Sequence, residues 1–415
     1  MEPHVTEWLN LVIRWAHMVV GVAWIGASFY FVWLENNLNR LNPKKGLSGD
    51  LWAIHGGGIY HLEKYQLAPD TMPEQLHWFK WEAYFTWITG ILLLAVVYYL
   101  NAELYLMAPD SKLSATSTIT IGIASLFLGW FVYHGLCDSP LRASPFLLAL
   151  VLYAFFVAVS YGLAQVFSGR GAYIHVGAML GTIMVGNVFR IIMPAQRDLV
   201  QAIKEQRPPN PALPAKALLR SRHNNYMTLP VLFIMISNHF PSTYGASFNW
   251  VILAGLSAVS IILRHYFNTR HNSQKFVWAL PVTALGMVAL AFVSSPNMTK
   301  TPLSPVLETG YAAKGFFLED GNEVKGKYVS FAKVNTVIQL RCAVCHSKTP
   351  THQAFSVAPA GVVFDTPQDI SRNLAAILTQ AVHSKVMPPG NLTQMTQEER
   401  VLLKLWASEG ASTDR

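Results

Sequence analysis

The strongest constraint on this chain is a succession of apolar stretches, each about 20 residues long, filling its first 295 residues. A bilayer core is ~30 Å thick, and a helix needs about 20 mostly apolar residues to cross it. Candidate spans lie near 8–34, 78–100, 117–137, 144–167, 173–194, 224–240, 247–268 and 276–294. The sixth is interrupted by Pro230, which removes a backbone donor. In lipid every backbone polar group must be paired within the protein. The expected fold is therefore all-α, a polytopic membrane helix bundle of about eight spans covering 1–295. Charged residues are 13% of the 415, about half the share of soluble domains. Residues 1–8 carry no Lys or Arg, so no basic leader region precedes the first run.

A net charge of +8 can signal nucleic-acid binding. Here the basic residues fall between apolar stretches, where membrane topology explains them, and we expect no nucleic-acid partner. Loop 35–77 carries Arg40, Lys44, Lys45 and Lys64; loop 195–222 carries Arg197, Lys204, Arg207, Lys216, Arg220 and Arg222; segment 264–275 adds Arg264, Arg270 and Lys275. The opposite loops offer little beyond Lys112 and Arg170. With eight spans the basic loops share one side, the cytoplasmic one by the positive-inside rule. Both termini then face the periplasm of a bacterial inner membrane.

Residues 296–325 contain Pro296, Pro302, Pro305 and Gly310 and no apolar run, and read as a linker. A small soluble domain, 326–415, follows. It contains "RCAVCH", and C-x-x-C-H marks covalent attachment of a c-type haem. Cys342 and Cys345 would form the thioethers and His346 the proximal iron ligand. "KVMPPGN" follows, with Met387 as distal ligand; Met395 is the rival, read as a packed methionine. A His/Met pair suits electron transfer. "FAKVNTVIQLRC" reads as a helix delivering the cysteines. "TQEERVLLKLWASEG" reads as a closing helix with a Thr396/Glu399 capping box. A small all-α, class I-type cytochrome c domain with one covalent haem is expected, outside the membrane where such haems are attached. Three cysteines are too few for a disulfide framework, and Cys137 reads as a buried structural thiol.

Ionisable side chains within spans are costly and usually face the bundle interior. Arg14 and His17 share a stripe with Gly21, Trp24 and Ser28 in the first span. His175 lies near the outer end of the fifth, where Gly177 and Gly181 form a G-x-x-x-G pair that permits close packing. Asn187 and Arg190 lie at its inner end, where Arg190 is as readily a snorkelling side chain as a functional one. The sixth is bracketed by His223, Asn224 and Asn225 inside and by Asn238 and His239 outside. His134 and His265 read as structural. "HGGGIYHLEKYQLAP" can bring backbone N–H groups to an anion, but a plain glycine-rich turn is the stronger reading.

Taken together, "RWAHMVVGVAWIGASFYF", "HGGGIYHLEKYQLAP", "LHWFKWEAY", "GNVFRIIMPAQ" and "SRHNNYMTLPVLFIMISNHFP", followed by a C-x-x-C-H domain, resemble the bacterial membrane-bound urate oxidases fused to cytochrome c. The resemblance covers nearly the whole chain. It implies oxidation of urate, with water, to 5-hydroxyisourate. Electrons would pass to the haem and on to a downstream cytochrome c or terminal oxidase of the respiratory chain, without obligatory hydrogen peroxide. Urate is a planar anion with amide edges, which arginine, asparagine and aromatic side chains can complement, and a histidine near neutral pKa can act as base. Two clusters are candidates. The outer one, Arg14, His17, His175, Asn238 and His239, lies nearer the haem and is favoured for catalysis. The inner one, Asn187, Arg190, His223, Asn224 and Asn225, faces cytoplasmic urate but needs a relay, such as a non-covalent b-type haem held by His17 with His175 or His239. The rival functions are a quinol or other small-molecule cytochrome c oxidoreductase and a haem-linked transporter.

Overall fold

The computed structural model describes residues 3–69, 71–108, 111–271, 273–295, 329–355 and 357–414. The linker at 296–325 and the first residues of the domain after it lie outside the described residues. Among the described residues six helices are long and apolar enough to cross a membrane. They are α1 (Pro3–Asn37), α2 (Trp81–Leu94, running on as a π-helical turn through Tyr99), α3 (Ala115–Asp138), α4 (Pro145–Val166), α5 (Gly169–Asn187, which continues through a π-turn at Val188–Ile192 into α6, Met193–Lys204) and α9 (Asn249–Thr269). The other two expected spans fall on α7 (Ala212–Ser237) and α10 (Ala279–Val293), with the single-turn α8 (Pro241–Tyr244) between α7 and α9. The first carries Lys216, Arg220, Arg222 and a run of amides; the second is apolar but only 15 residues long. Among the described residues six helices thus combine the length and the apolarity of a span where eight spans were expected; α7 falls short by its charges and α10 by its length.

Side-chain pairs fix the direction of each helix. Asn36 Nδ2 donates to the Asn268 carbonyl at 3.0 Å, so α1 and α9 end together. Tyr98, Arg170 and Asn238 meet at the other end, where α2 and α7 finish and α5 begins. α5 is the hub. It packs on α2, α3, α4 and α7, and Val176, Met179 and Ile183 are buried along it. Close approach there relies on glycines. A methyl on Gly177 would lie 2.5 Å from Ile234 Cγ2, and one on Gly186 2.6 Å from Trp130. Gly181, the other half of the G-x-x-x-G pair, has nothing within 4 Å. The outer helices turn large apolar side chains outward, among them Trp15, Phe131, Phe146, Leu285 and Phe292. That is the surface a lipid solvent would cover, because apolar side chains lose nothing there.

The all-α expectation needs one correction. Residues 47–65 form a two-stranded antiparallel hairpin, β1 (Leu47–His55) and β2 (Gly58–Tyr65), with Trp52 opposite His61 and Ala53 opposite Tyr60. Gly56 and Gly57 take φ of 57° and 81°, the left-handed pair that a tight hairpin turn requires. The glycine run is therefore a turn. The basic segment 195–222, read as a loop, is largely helix: α6 and the start of α7.

The C-terminal domain is helical. α11 (Phe331–Ile338) continues into a π-turn at Gln339–Ala343 carrying Cys342, followed by α12 (Pro367–Arg372), α13 (Leu374–Ile377) and α14 (Gln397–Ser408). Val334, Ile338, Ile370, Leu403 and Trp406 form its core. Thr396 and Glu399 make the expected capping box on α14. This domain seats on the end of the bundle away from the hairpin, hereafter the seam end. Val386 joins the bundle's core, and Gly390 lies against the backbone of Glu103 and Leu104.

Candidate functional site

Where the two domains meet they enclose a cavity of about 420 Å³, within the ~300–1,000 Å³ usual for small-molecule sites. The C-terminal wall supplies Cys342, Cys345, His346 and Met387, with Phe355, Phe364, Ile377 and Pro388 as apolar lining. The bundle wall supplies Leu104, Tyr105, Ser168, Gly169, Arg170 and Tyr244–Ala246. The two cysteines arrive together because the π-turn at the end of α11 and the turn after it present successive residues on one side. His346 Nδ1 is 3.0 Å from the Val362 carbonyl and must donate to it, which leaves Nε2 with its lone pair. Burial lowers the His346 pKa, opposed by that hydrogen bond, so the ring is neutral near pH 7. Burial also pushes the Cys342 thiol up to about 12 and raises that of Cys345. Arg400 Nη1 donates to the Met387 carbonyl at 2.8 Å and to that of Ala381, which fixes the backbone beside the thioether. Met395 is buried in the domain core and does not line the cavity. Among the described residues no group of three or more His, Cys, Asp or Glu side chains is arranged to hold a free metal ion.

The outer cluster is only partly assembled. His175 is fully buried in α5. Its Nδ1 is 2.8 Å from the Gly171 carbonyl and so donates, which leaves Nε2 to accept from the Tyr99 hydroxyl at 3.2 Å. Gly122 leaves room for that pair: a methyl there would lie 2.7 Å from His175 Nε2. Asn238 Oδ1 accepts from Arg170 Nε at 3.1 Å and from the Tyr98 hydroxyl at 3.3 Å. His17 instead faces α2, with Nδ1 3.0 Å from Thr89 Oγ1. Arg14 binds Asn10 at 2.9 Å on the exposed side of α1, and His239 is exposed beyond α7. The rings of Tyr105, Tyr98, His175 and Tyr99 follow one another from the cavity into the bundle, with centroids 6.4, 6.3 and 5.7 Å apart.

The inner cluster is a denser network at the hairpin end. Asn187 Nδ2 donates to Tyr133 Oη at 2.9 Å and to Asn224 Oδ1 at 2.8 Å. Asn224 Nδ2 donates to the Met184 carbonyl at 2.9 Å. Tyr133 Oη lies 2.9 Å from His223 Nδ1. That hydroxyl accepts from Asn187 and can donate its own proton to the imidazole. Asn225 Oδ1 accepts from Arg264 Nε at 2.9 Å and Asn268 Nδ2 at 2.7 Å. Asn187 Oδ1, Asn225 Nδ2, Arg264 Nη2 and Asn268 Oδ1 are buried without a protein partner. Water or a ligand with amide edges can satisfy such groups. Arg190 is exposed and does not join. Cys137 is buried, its Sγ 3.6 Å from His223 Nδ1.

Sequence reasoning passed over the tyrosines 98, 99, 105 and 133, and treated Arg170, Arg220 and Arg264 only as topology signals. Arg220 is fully buried and paired with Asp138 at 2.7 Å. The available signal was position: each arginine falls within a turn or two of an apolar run, where a charge needs a partner.

Residues 3–295, the whole of the bundle, match the family model described as Urate oxidase N-terminal. No curated protein and no solved structure matches the chain. The chain therefore belongs to the urate oxidase N-terminal family, and its bundle is urate-oxidase-like.

Proposed function

We propose that the chain oxidises urate to 5-hydroxyisourate within its bundle and delivers the electrons to a c-type haem in its C-terminal domain, for onward passage to a respiratory cytochrome c or terminal oxidase. Urate and one water give 5-hydroxyisourate, two protons and two electrons, so oxygen is not consumed and peroxide is not an obligatory product. The observation that carries the reading is the seam cavity. It gathers two thiols, a neutral imidazole and a thioether from one domain and closes them against the family-matching bundle.

The residues present fit the group. Two thiols stand three residues apart, His346 keeps Nε2 free, and Met387 lines the same cavity. Cys342 and Cys345 would hold a c-type haem and His346 and Met387 would ligate its iron, and the group would supply one-electron acceptance. Urate must then lose its electrons in successive single steps, or to a second acceptor such as a b-type haem.

On the bundle side, His175 Nε2 holds a lone pair directed at Tyr99 and can receive a proton as urate is oxidised. Arg170, bound to Asn238, lines the seam cavity and lies, on this reading, outside the reacting centre. His17 faces α2 and His239 is exposed beyond α7. The network of Asn187, His223, Asn224 and Asn225 offers amide-matching groups on the hairpin side, where the basic loops place the cytoplasm. The seam end and the C-terminal domain would then face the periplasm. Anaerobic addition of urate to the oxidised full chain tests the proposal. The haem band should shift to its reduced form with about two electrons per urate consumed. A spectrum that does not move, with haem present and reducible by dithionite, overturns it.

A further inference from the structure

Arg170 is a cation without an anion. It sits in the first turn of α5, after the cap in which Ser168 Oγ accepts from Gly171 N at 3.0 Å. Its Nε donates to Asn238 Oδ1 at 3.1 Å and to Tyr98 Oη at 3.2 Å. Its guanidinium carbon stands 4.7 Å from the centroid of Tyr105 and 5.8 Å from that of Tyr98. All of these partners are neutral, and no carboxylate pairs with it among the described residues. The contrast across the cavity is Arg341, which forms an ion pair with Glu399 at 3.0 Å. Taking a charge out of water without a counter-charge is costly, and two tyrosine rings plus an amide orient a guanidinium without neutralising it. A planar fork held by Nε keeps its two terminal nitrogens for a bidentate oxyanion. Arg170 lines the seam cavity together with Cys345 and His346, so that oxyanion must reach it through the cavity.

We propose that Arg170 receives a carboxylate across the seam, a propionate of the haem carried by the C-terminal domain, so that the cofactor is held by both halves of the chain. This rests on the haem reading above. The oxyanion chemistry is shared with urate itself, and the two sources differ in what they would change. A propionate partner makes Arg170 a positioning residue that sets the haem's potential and the seating of the domain. A urate partner makes it a substrate ligand and leaves the resting haem untouched.

The test uses the full chain with Arg170→Gln and Arg170→Lys. Three quantities are read: covalent haem by pyridine haemochrome, the midpoint by equilibrium redox titration without substrate, and anaerobic urate binding by equilibrium dialysis. Removing a weakly screened positive charge stabilises the ferric form. Arg170→Gln should therefore lower the midpoint and raise the oxidised-to-reduced ratio several-fold at a fixed potential. Arg170→Lys should recover most of the shift, with haem content unchanged and urate affinity within about twofold of the parent. An unchanged midpoint overturns the proposal, and if urate binding then weakens tenfold or more the oxyanion is the substrate. Should Arg170→Gln not fold, Asn238→Asp gives the same reading, since a new carboxylate on Nε competes with the propionate and lowers the midpoint. Absence of covalent haem from the parent chain defeats the haem reading itself, which the first measurement separates from any result on Arg170.

Discussion

At the scale of single residues, one glycine makes room for a side chain of the proposed site. The space opposite His175 is set by Gly122: a methyl group there would lie 2.7 Å from Nε2 and 3.3 Å from Tyr99 Oη. Gly122→Ala must push apart the one histidine whose free nitrogen points into the ring series leading to the cavity. Overpacking of this kind costs about 1–3 kcal/mol. We expect a lower thermal midpoint in detergent and a larger proportional loss of urate oxidation. Normal turnover with Gly122→Ala would remove His175 from the reaction. The two methionines of the C-terminal domain make a paired test. Met387→Ala removes the thioether from the cavity and should abolish the spectral signature of sulfur ligation and lower the haem potential, with little loss of stability. Met395→Ala opens a hole in the core, costs about 2–5 kcal/mol, and should leave the spectrum unchanged. If Met395→Ala instead alters the spectrum, the axial assignment is reversed.

At the scale of elements, capping and turn chemistry carry the local structure. Thr396 accepts from Glu399 N while the Glu399 carboxylate accepts from Thr396 N at 2.7 Å. Thr396→Ala should cost about 0.5–2 kcal/mol, read as earlier thermal loss of the haem spectrum while the bundle's own transition is unmoved. A shift of the bundle's transition instead would mean that the two domains unfold as one unit. The capping box, α11 and the long apolar helices were all legible in the chain, because apolar periodicity and cap residues are local signals. The hairpin was not read from "LWAIHGGGIYHLEKY", although its two central glycines at positive φ are the sequence mark of a tight turn. Its strands alternate only loosely, with Trp52, Ile54 and Ile59 exposed, so the period-2 pattern was weak. α7 was harder still. It carries Arg220 and two buried asparagines whose partners lie on α3, α5 and α9. Such a helix is held by contacts distant in sequence, and its own composition does not announce them. The outer cluster is gathered only in part for a related reason. Helical spacing places Arg14 and His17 on one turn of α1, but α1 meets the bundle mainly through α2, where His17 pairs with Thr89.

At the scale of the whole molecule, the decisive feature is that the cavity has walls from both ends of the chain. An isolated C-terminal domain would leave Cys345 and His346 open on one side, and an isolated bundle would leave Tyr105 and Arg170 exposed at its tip. The seam closes tightly only because small residues stand at its contacts. A methyl on Gly245 would lie 2.5 Å from Ser384 Cβ and 2.8 Å from Val386 Cγ2. Gly245→Leu therefore acts as a wedge between the domains while leaving every residue proposed to attach haem in place. With the wedge, dithionite should still reduce the proposed haem fully, and the haemochrome should still report covalent attachment. On the proposed route urate-driven reduction should slow by at least tenfold, because electron transfer falls steeply as the aromatic series from Tyr99 to Tyr105 is drawn away from the C-terminal domain. Unchanged urate-driven reduction in a wedged protein whose domain separation has measurably increased would mean that electrons do not cross at this contact, and the route through Tyr105 would have to be abandoned.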